Sequence, residues 1–241
     1  MDALGRAAVA VVVPARDEAG SIAACVQSVV AACEQCSARE RWIVVVADQC
    51  DDDTAELALN TLGPLGEVIQ SRRGAAGAAR RLGCAAALRR FSGQGYRANE
   101  IWLANTDADT SVPTDWLEQQ LTLARGGARA VAGTVSIPSL RHHGRDIAHL
   151  LMSDYLVQVD GSHSHVHGAN FGVAAEAYLD VGGWSDARLA EDHCLWERLR
   201  ARGWPLMATA GLCVQTSARL RGRAAGGFAS TLSKKVEALD G

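Results

Sequence analysis

Residues 101–116 read IWLANTDADTSVPTDW. An apolar run from Ile101 to Ala104 ends in two carboxylates one residue apart, Asp107 and Asp109, and a helical pattern restarts after Pro113. Such a run, a polar turn and a helix make one β–α step of a layered sheet. Carboxylates at the tip of a buried strand repel each other and lose hydration. A divalent cation, an arginine or backbone N–H groups must offset that cost. Residues i and i+2 share a face when the segment is extended, so both acids can reach one cation. Hard oxygen ligands there suit Mg2+ or Mn2+, which also take phosphate oxygens from a substrate.

The same alternation extends outward. AVAVVV (8–13) and WIVVVA (42–47) are short and β-branched, EVIQ (67–70) is a weaker strand, and ARAVAGTVSI (128–137) is a later one. SIAACVQSVVAAC (21–33) carries Ile22, Val26, Val29, Val30 and Cys33 on one helical face. DDTAELALNTL (52–62) starts a helix with acids, and GAAGAARRLGCAAALRRF (74–91) offers small residues for close approach to a sheet. PTDWLEQQLTLA (113–124) predicts a helix with Pro113 at its first position. Strands apolar on both sides and separated by helices predict a mainly parallel sheet covered on both faces. Its functional groups belong at the carboxyl ends of the strands. Those ends read PARDE (14–18), ADQCDDD (47–53) and NTDAD (105–109), so three strand ends rich in carboxylate point to one site. Further on, GRDIAHLLMSDYLVQV (144–159) predicts a helix. GANFGVAAEAYLDVGGW (168–184) predicts a short strand, a short helix and a glycine turn, and LAEDHCLWERLRARGW (189–204) a helix stopped at Gly203.

The 241 residues suit one large α/β domain better than two small ones, and 48% hydrophobic against 21% charged residues is a globular composition. A net charge of −3 lacks the basic excess of a nucleic-acid binder. No apolar stretch reaches the length of a transmembrane helix, and the first apolar run reads as a core strand, not a signal peptide. Seven cysteines, an odd number in apolar surroundings, predict reduced thiols and a cytoplasmic protein. Cys33 and Cys36 form a Cys-x-x-Cys pair with no second pair nearby, which favours plain thiols over zinc or redox chemistry. His163, His165 and His167 alternate and leave two readings open, a metal-binding face or a polar loop.

The ordered set VVVPARDEAGSI (11–22), VVVADQCDDDTAELA (44–58), GAARRLG (77–83), NTDAD, GANFGV (168–173), VGGW (181–184) and LAEDHCLWERLRARGW resembles the family 2 glycosyltransferases of the GT-A fold. The resemblance covers most of residues 8–205. It implies a single GT-A, Rossmann-like domain over residues 1–241, with a mixed, mainly parallel sheet flanked by helices. The nucleotide-binding half would run to about residue 112 and the acceptor and catalytic half from 113. By the same resemblance Pro14, Arg16 and Glu18 line the nucleotide pocket, with Asp17 where the family's Pro-x-x-Asn-Glu has asparagine. Asp48 reads the base edge, typically uracil; ADQC replaces the common DDGS, so Asp52 and Asp53 start the helix instead. Arg80 matches the arginine of the family's Ala-Arg-Asn and lies near nucleotide and sugar, and Arg81 departs from the asparagine. Asp107 meets the ribose or sugar side, Asp109 the metal, and Asp192 matches the catalytic base. Gly168, Asn170, Trp184 and Glu191 fall near sugar or acceptor. Trp184 can stack on a sugar or fill the core. Arg219, Arg221 and Arg223 can close over a pyrophosphate or stay solvated.

The chemistry is consistent with those roles. Sugar transfer from a nucleotide diphosphate needs the departing charge stabilised, which a metal and an arginine do without proton transfer. It needs a carboxylate to deprotonate the acceptor hydroxyl. One base with no carboxylate nucleophile implies direct displacement and inversion. The expected partners are a nucleotide-sugar donor, uridine diphosphate favoured, and a hydroxyl on a small molecule, a glycan or a lipid met at a membrane surface. Two other classes share the layout. A sugar-phosphate nucleotidyltransferase would carry a Gly-rich first loop with Arg and Lys, which VPARDEAGSI lacks. An inactive nucleotide-sugar binder would not need both Asp109 and Asp192. Read alone, Asp192 is better explained as a helix-start acid favoured by the dipole than as a base.

Overall fold

The computed structural model describes residues 8–136, 163, 165–186 and 190–217. The chain runs β1 (Ala8–Ala15), α1 (Ile22–Gln35), β2 (Glu40–Asp48), α2 (Thr54–Leu62), β3 (Gly66–Ser71), α3 (Ala76–Gly93), β4 (Ile101–Asn105), β5 (Thr110–Ser111), α4 (Trp116–Arg125), β6 (Ala130–Ser136), β7 (Phe171–Ala174), α5 (Ala175–Asp180), α6 (Glu191–Ala201) and β8 (Leu206–Thr216). Eight strands form one sheet in the order β3-β2-β1-β4-β7-β6-β8-β5. The pairs β2–β3, β1–β2, β1–β4 and β6–β8 are parallel; β4–β7, β6–β7 and β5–β8 are antiparallel. The expected mixed, mainly parallel sheet flanked by helices is what forms.

The valine runs explain the centre. Val9 to Val13, Ile43 to Val46 and Ile101 to Ala104 are buried, as strands covered on both faces must be. α3 lies close over β1 and β2 because the buried face it turns to them is made largely of glycine and alanine: a Cβ at Gly83 would stand 2.5 Å from Val12 and 3.1 Å from Val46. This is the close approach its glycines and alanines predict. Cys33 and Cys36 are buried and free, and burial pushes the Cys33 thiol up to about 12, which keeps it a thiol.

Three elements depart from the sequence reading. α4 begins at Trp116 with Asp115 as its cap, not at Pro113; the Trp116 N–H closes a turn on the Pro113 carbonyl at 3.1 Å. β5 and β8 are additions. β8 spans eleven residues, LMATAGLCVQT, with few β-branched residues and an internal glycine, so its pattern reads as neither strand nor helix. Its pairing with β6 jumps from Gly133↔Thr209 to Thr134↔Cys213, which leaves Ala210 to Leu212 bulged out. The helix expected over 144–159 and the three C-terminal arginines lie outside the described residues. No helix among the described residues is long and apolar enough to cross a membrane.

Candidate active site

β1, β2, β3 and β4 run parallel, so Ala15, Asp48, Ser71 and Asn105 end on one edge. β7 pairs antiparallel with β4, with Phe171 opposite Asn105, and this brings the Gly168–Asn170 turn to the same edge. β5 pairs with the last residues of β8, Thr110 opposite Thr216, so Asp109 meets the end of β8 there.

The β1 end is held by hydrogen bonds. Asp17 takes a positive φ of 49°, a backbone region that Asn and Asp tolerate best, and Gln49 does the same at 57°. The Asp17 N–H points at Cys50 Sγ (3.4 Å), and Asp17 Oδ1 accepts the Asp51 N–H (2.7 Å). Glu18 N–H donates to Thr54 Oγ1 (2.7 Å), and Asp52 accepts the N–H groups of Ala19 and Thr54 (both 3.0 Å). Asp53 is the cap residue of α2, and Asp52, one position ahead, accepts the N–H of its first residue, Thr54. Asp17, Cys50 and Asp52 are the one group of three metal-type ligands within 4.8 Å of one another among the described residues. These hydrogen bonds account for their meeting: they tie the β1 end to the start of α2. Pro14 pairs with Val46, Arg16 is exposed, and Glu18 accepts the Ser21 hydroxyl at 2.6 Å. Asp48 is buried, and its two oxygens accept the N–H groups of Arg73 (2.7 Å) and Gly74 (2.8 Å). It clasps the loop from β3 to α3.

The centre of the site is Arg80, from the first half of α3. One η nitrogen donates to Asp107 Oδ1 and the other to Glu191 Oε1, each at 2.5 Å. Its ζ carbon lies 5.3 Å from the centre of the Trp184 ring. Burial alone would lower the basicity of Arg80; Asp107, Glu191 and Asp192 outweigh it and raise it. Desolvation raises the Asp107 carboxyl, Arg80 opposes the rise, and Asp109 adds to it. The Asp107 side chain is still 39% exposed, so it has the access to meet a further cation. Its backbone is pinned from below, where the Cys25 thiol donates to the Asp107 carbonyl at 3.3 Å.

Asp109 accepts the hydroxyls of Thr216 (3.3 Å) and Ser217 (2.8 Å), and its carbonyl accepts the Ser217 N–H (3.1 Å). Sequence reasoning missed Thr216 and Ser217 because it missed β8. Asp192 lies in the first turn of α6, behind Ala190 at φ 55°. Its Oδ2 accepts the Gly168 N–H (2.9 Å) and its Oδ1 the His193 N–H (2.8 Å). Gly168 is a glycine of necessity: a Cβ there would stand 2.4 Å from Arg80 Nη2.

Two expected ligand contacts are core contacts instead. Asn170 is 0% exposed, and its amide is consumed by Trp116 Nε1 (2.9 Å) and the carbonyls of Thr134 (2.9 Å) and Leu212 (3.0 Å). Trp184 is 0% exposed and packs on Phe171 at 5.3 Å. Neither presents a surface to a sugar. The histidines form a row, with ring centres 6.4 Å apart for His163 and His165 and 6.0 Å for the stacked pair His165 and His167. Burial lowers His167 to about 4.

A family model described as glycosyl transferase family 2 matches residues 10–179. Among solved structures, a mannosyltransferase from Pyrobaculum calidifontis, in complex with GDP-Man and Mn2+, superposes with a TM-score of 0.64 at 20% identity over 92% of this chain and 60% of its own. S. aureus TarS, in complex with UDP-GlcNAc, gives a TM-score of 0.64 at 15% identity over 92% and 61%. A mycobacterial protein gives 0.59 at 17% identity over 98% and 74%. The chain thus spans about three fifths of the first two. No curated protein sequence matches it.

Proposed function

The chain belongs to glycosyltransferase family 2, and from that premise we propose that it moves a hexosyl group from a nucleoside-diphosphate sugar to an acceptor hydroxyl, with a divalent cation and with inversion. One observation carries the reading. Asp107, just past the end of β4, and Glu191, which opens α6 ahead of Asp192, meet across a single guanidinium, so donor-side and base-side groups share one site. Asp109 and Asp107 are the residues that would hold Mg2+ or Mn2+; both are carboxylates at one strand end, and the Asp107 side chain keeps 39% of its surface exposed. A bound cation would neutralise charge on the departing diphosphate. Asp192 takes the proton of the attacking hydroxyl. Each of its oxygens accepts one backbone N–H, which orients the carboxylate and leaves a lone pair on each for that proton. With one base and no carboxylate nucleophile, the hydroxyl displaces the diphosphate directly. Pro14, Arg16 and Glu18 flank the nucleotide on the β1 side. In the uridine reading, Asp48 accepts the N3 hydrogen of uracil with the second lone pair that each of its oxygens keeps.

The test is calorimetric binding of UDP and of GDP in Mn2+ and in EDTA, for the wild type and Asp109→Ala. UDP should bind in Mn2+, and the substitution should weaken binding in Mn2+ far more than in EDTA. Equal weakening in both would remove Asp109 from the metal site. Tight GDP binding with none for UDP would overturn the uridine assignment and leave the fold intact.

A further inference from the structure

We propose that Arg80 is a positioning residue that sets the distance between the donor-side acid Asp107 and the base-bearing helix α6, and that it does not bind the donor diphosphate. This rests on the transfer reading above. The fork is occupied: its two η nitrogens hold Asp107 and Glu191, from segments 84 residues apart in sequence, each at 2.5 Å. The Arg80 side chain is 4% exposed, with the Trp184 ring on one side and the Gly168 backbone against the guanidinium on another. Two of its five N–H donors are committed to these carboxylates, and at 4% exposure a phosphate oxygen could reach the others only if the packing around the guanidinium opened. The same contact set reaches the base. Gly168, which touches the guanidinium, donates its N–H to Asp192 Oδ2 at 2.9 Å, and Glu191 precedes Asp192 on α6. One planar group therefore fixes Asp107 directly, and Asp192 by two routes.

Lysine cannot reproduce this. An ammonium is a point charge without a fixed fork, so it cannot hold two carboxylates at one spacing. A misplacement of about 1 Å between reacting groups costs on the order of 100-fold in rate. The experiment compares the wild type with Arg80→Lys and Gly168→Ala. The first keeps the charge and loses the fork; the second keeps the fork and pushes it off its seat. Calorimetry in EDTA with UDP or GDP, whichever the wild type binds with Mn2+, gives a nucleotide affinity that a shift of Asp107 cannot change through the cation. Nucleotide release from UDP-GlcNAc or GDP-mannose, whichever the wild type turns over, gives kcat. Both variants should lose about 100-fold in kcat and keep nucleotide affinity within about threefold of the wild type. A tenfold or greater loss of nucleotide affinity in Arg80→Lys would make Arg80 a diphosphate ligand and overturn the proposal. If Arg80→Lys does not fold, Gly168→Ala decides: wild-type kcat in that variant overturns the proposal as well. Failure of the wild type itself to bind either nucleotide with Mn2+ would sink the transfer reading, an outcome separable from any effect confined to the variants.

Discussion

Asp192 has two explanations that a single substitution separates. As a general base it must lose function when it cannot accept a proton; as a helix-start acid it only interacts with the dipole of α6. Asp192→Asn keeps the shape and the acceptor oxygen, so one of the two N–H contacts, from Gly168 and His193, survives. Transfer should fall by roughly two to four orders of magnitude, the range of general acid–base groups. Stability should change by only about 0.3–1 kcal/mol. Near-normal turnover in a stable variant would leave the chain without an identified base. The residues that were legible in sequence are those whose chemistry is local. Asp107 and Asp109 stand out because acids close an apolar run. Arg80 was visible as a motif residue, but its two carboxylate partners lie 27 and 111 positions away and no spacing reveals them. Cys25 gives no signal at all, since a buried thiol under a carbonyl reads as one more apolar residue of α1.

At the scale of elements, legibility follows burial. β1, β2 and β4 are covered on both faces and read as unbroken apolar runs, so their placement was plain. β8 lies beyond the pattern because it is half-covered, bulged and poor in β-branched residues. What holds that bulge is Asn170, which joins α4 through Trp116, β6 through Thr134 and β8 through Leu212. The turn before β7 thus ties three elements with one amide. Asn170→Ala should remove three buried hydrogen bonds and leave the Trp116 indole and two carbonyls without partners. Each such loss costs about 1–3 kcal/mol, partly recovered by relaxation and water, so a net destabilisation of about 3–4 kcal/mol is expected. For a chain of this length that lowers the melting temperature by on the order of 10 °C. Thermal and urea unfolding measure it. A change below about 1 kcal/mol would mean that the bulge is held by the strand pairing alone.

Buried ionisable groups make the stability of the whole fold depend on pH. His167 is the clearest case. Burial holds it at about 4, against the pull of Asp192, while His165, His193 and His163 add to the depression. Above pH 6.5 the imidazole is neutral in both folded and unfolded chains and contributes nothing. Between 6.5 and 4 the unfolded chain binds a proton that the folded chain does not, so stability falls as pH falls. Below about 4 both states are protonated, and the loss levels off at roughly 3 kcal/mol. At pH 5 the share of His167 is about 2 kcal/mol, worth roughly 4–8 °C of melting temperature. Carboxylates also titrate below pH 5, so the test is a difference. His167→Gln cannot take the proton, and its melting temperature should fall less steeply than that of the wild type between pH 7 and 5. The two curves should separate by those degrees at pH 5 and run parallel above pH 7. Parallel curves over the whole range would show that His167 accepts a proton in place, and that Asp192 and solvent compensate its burial.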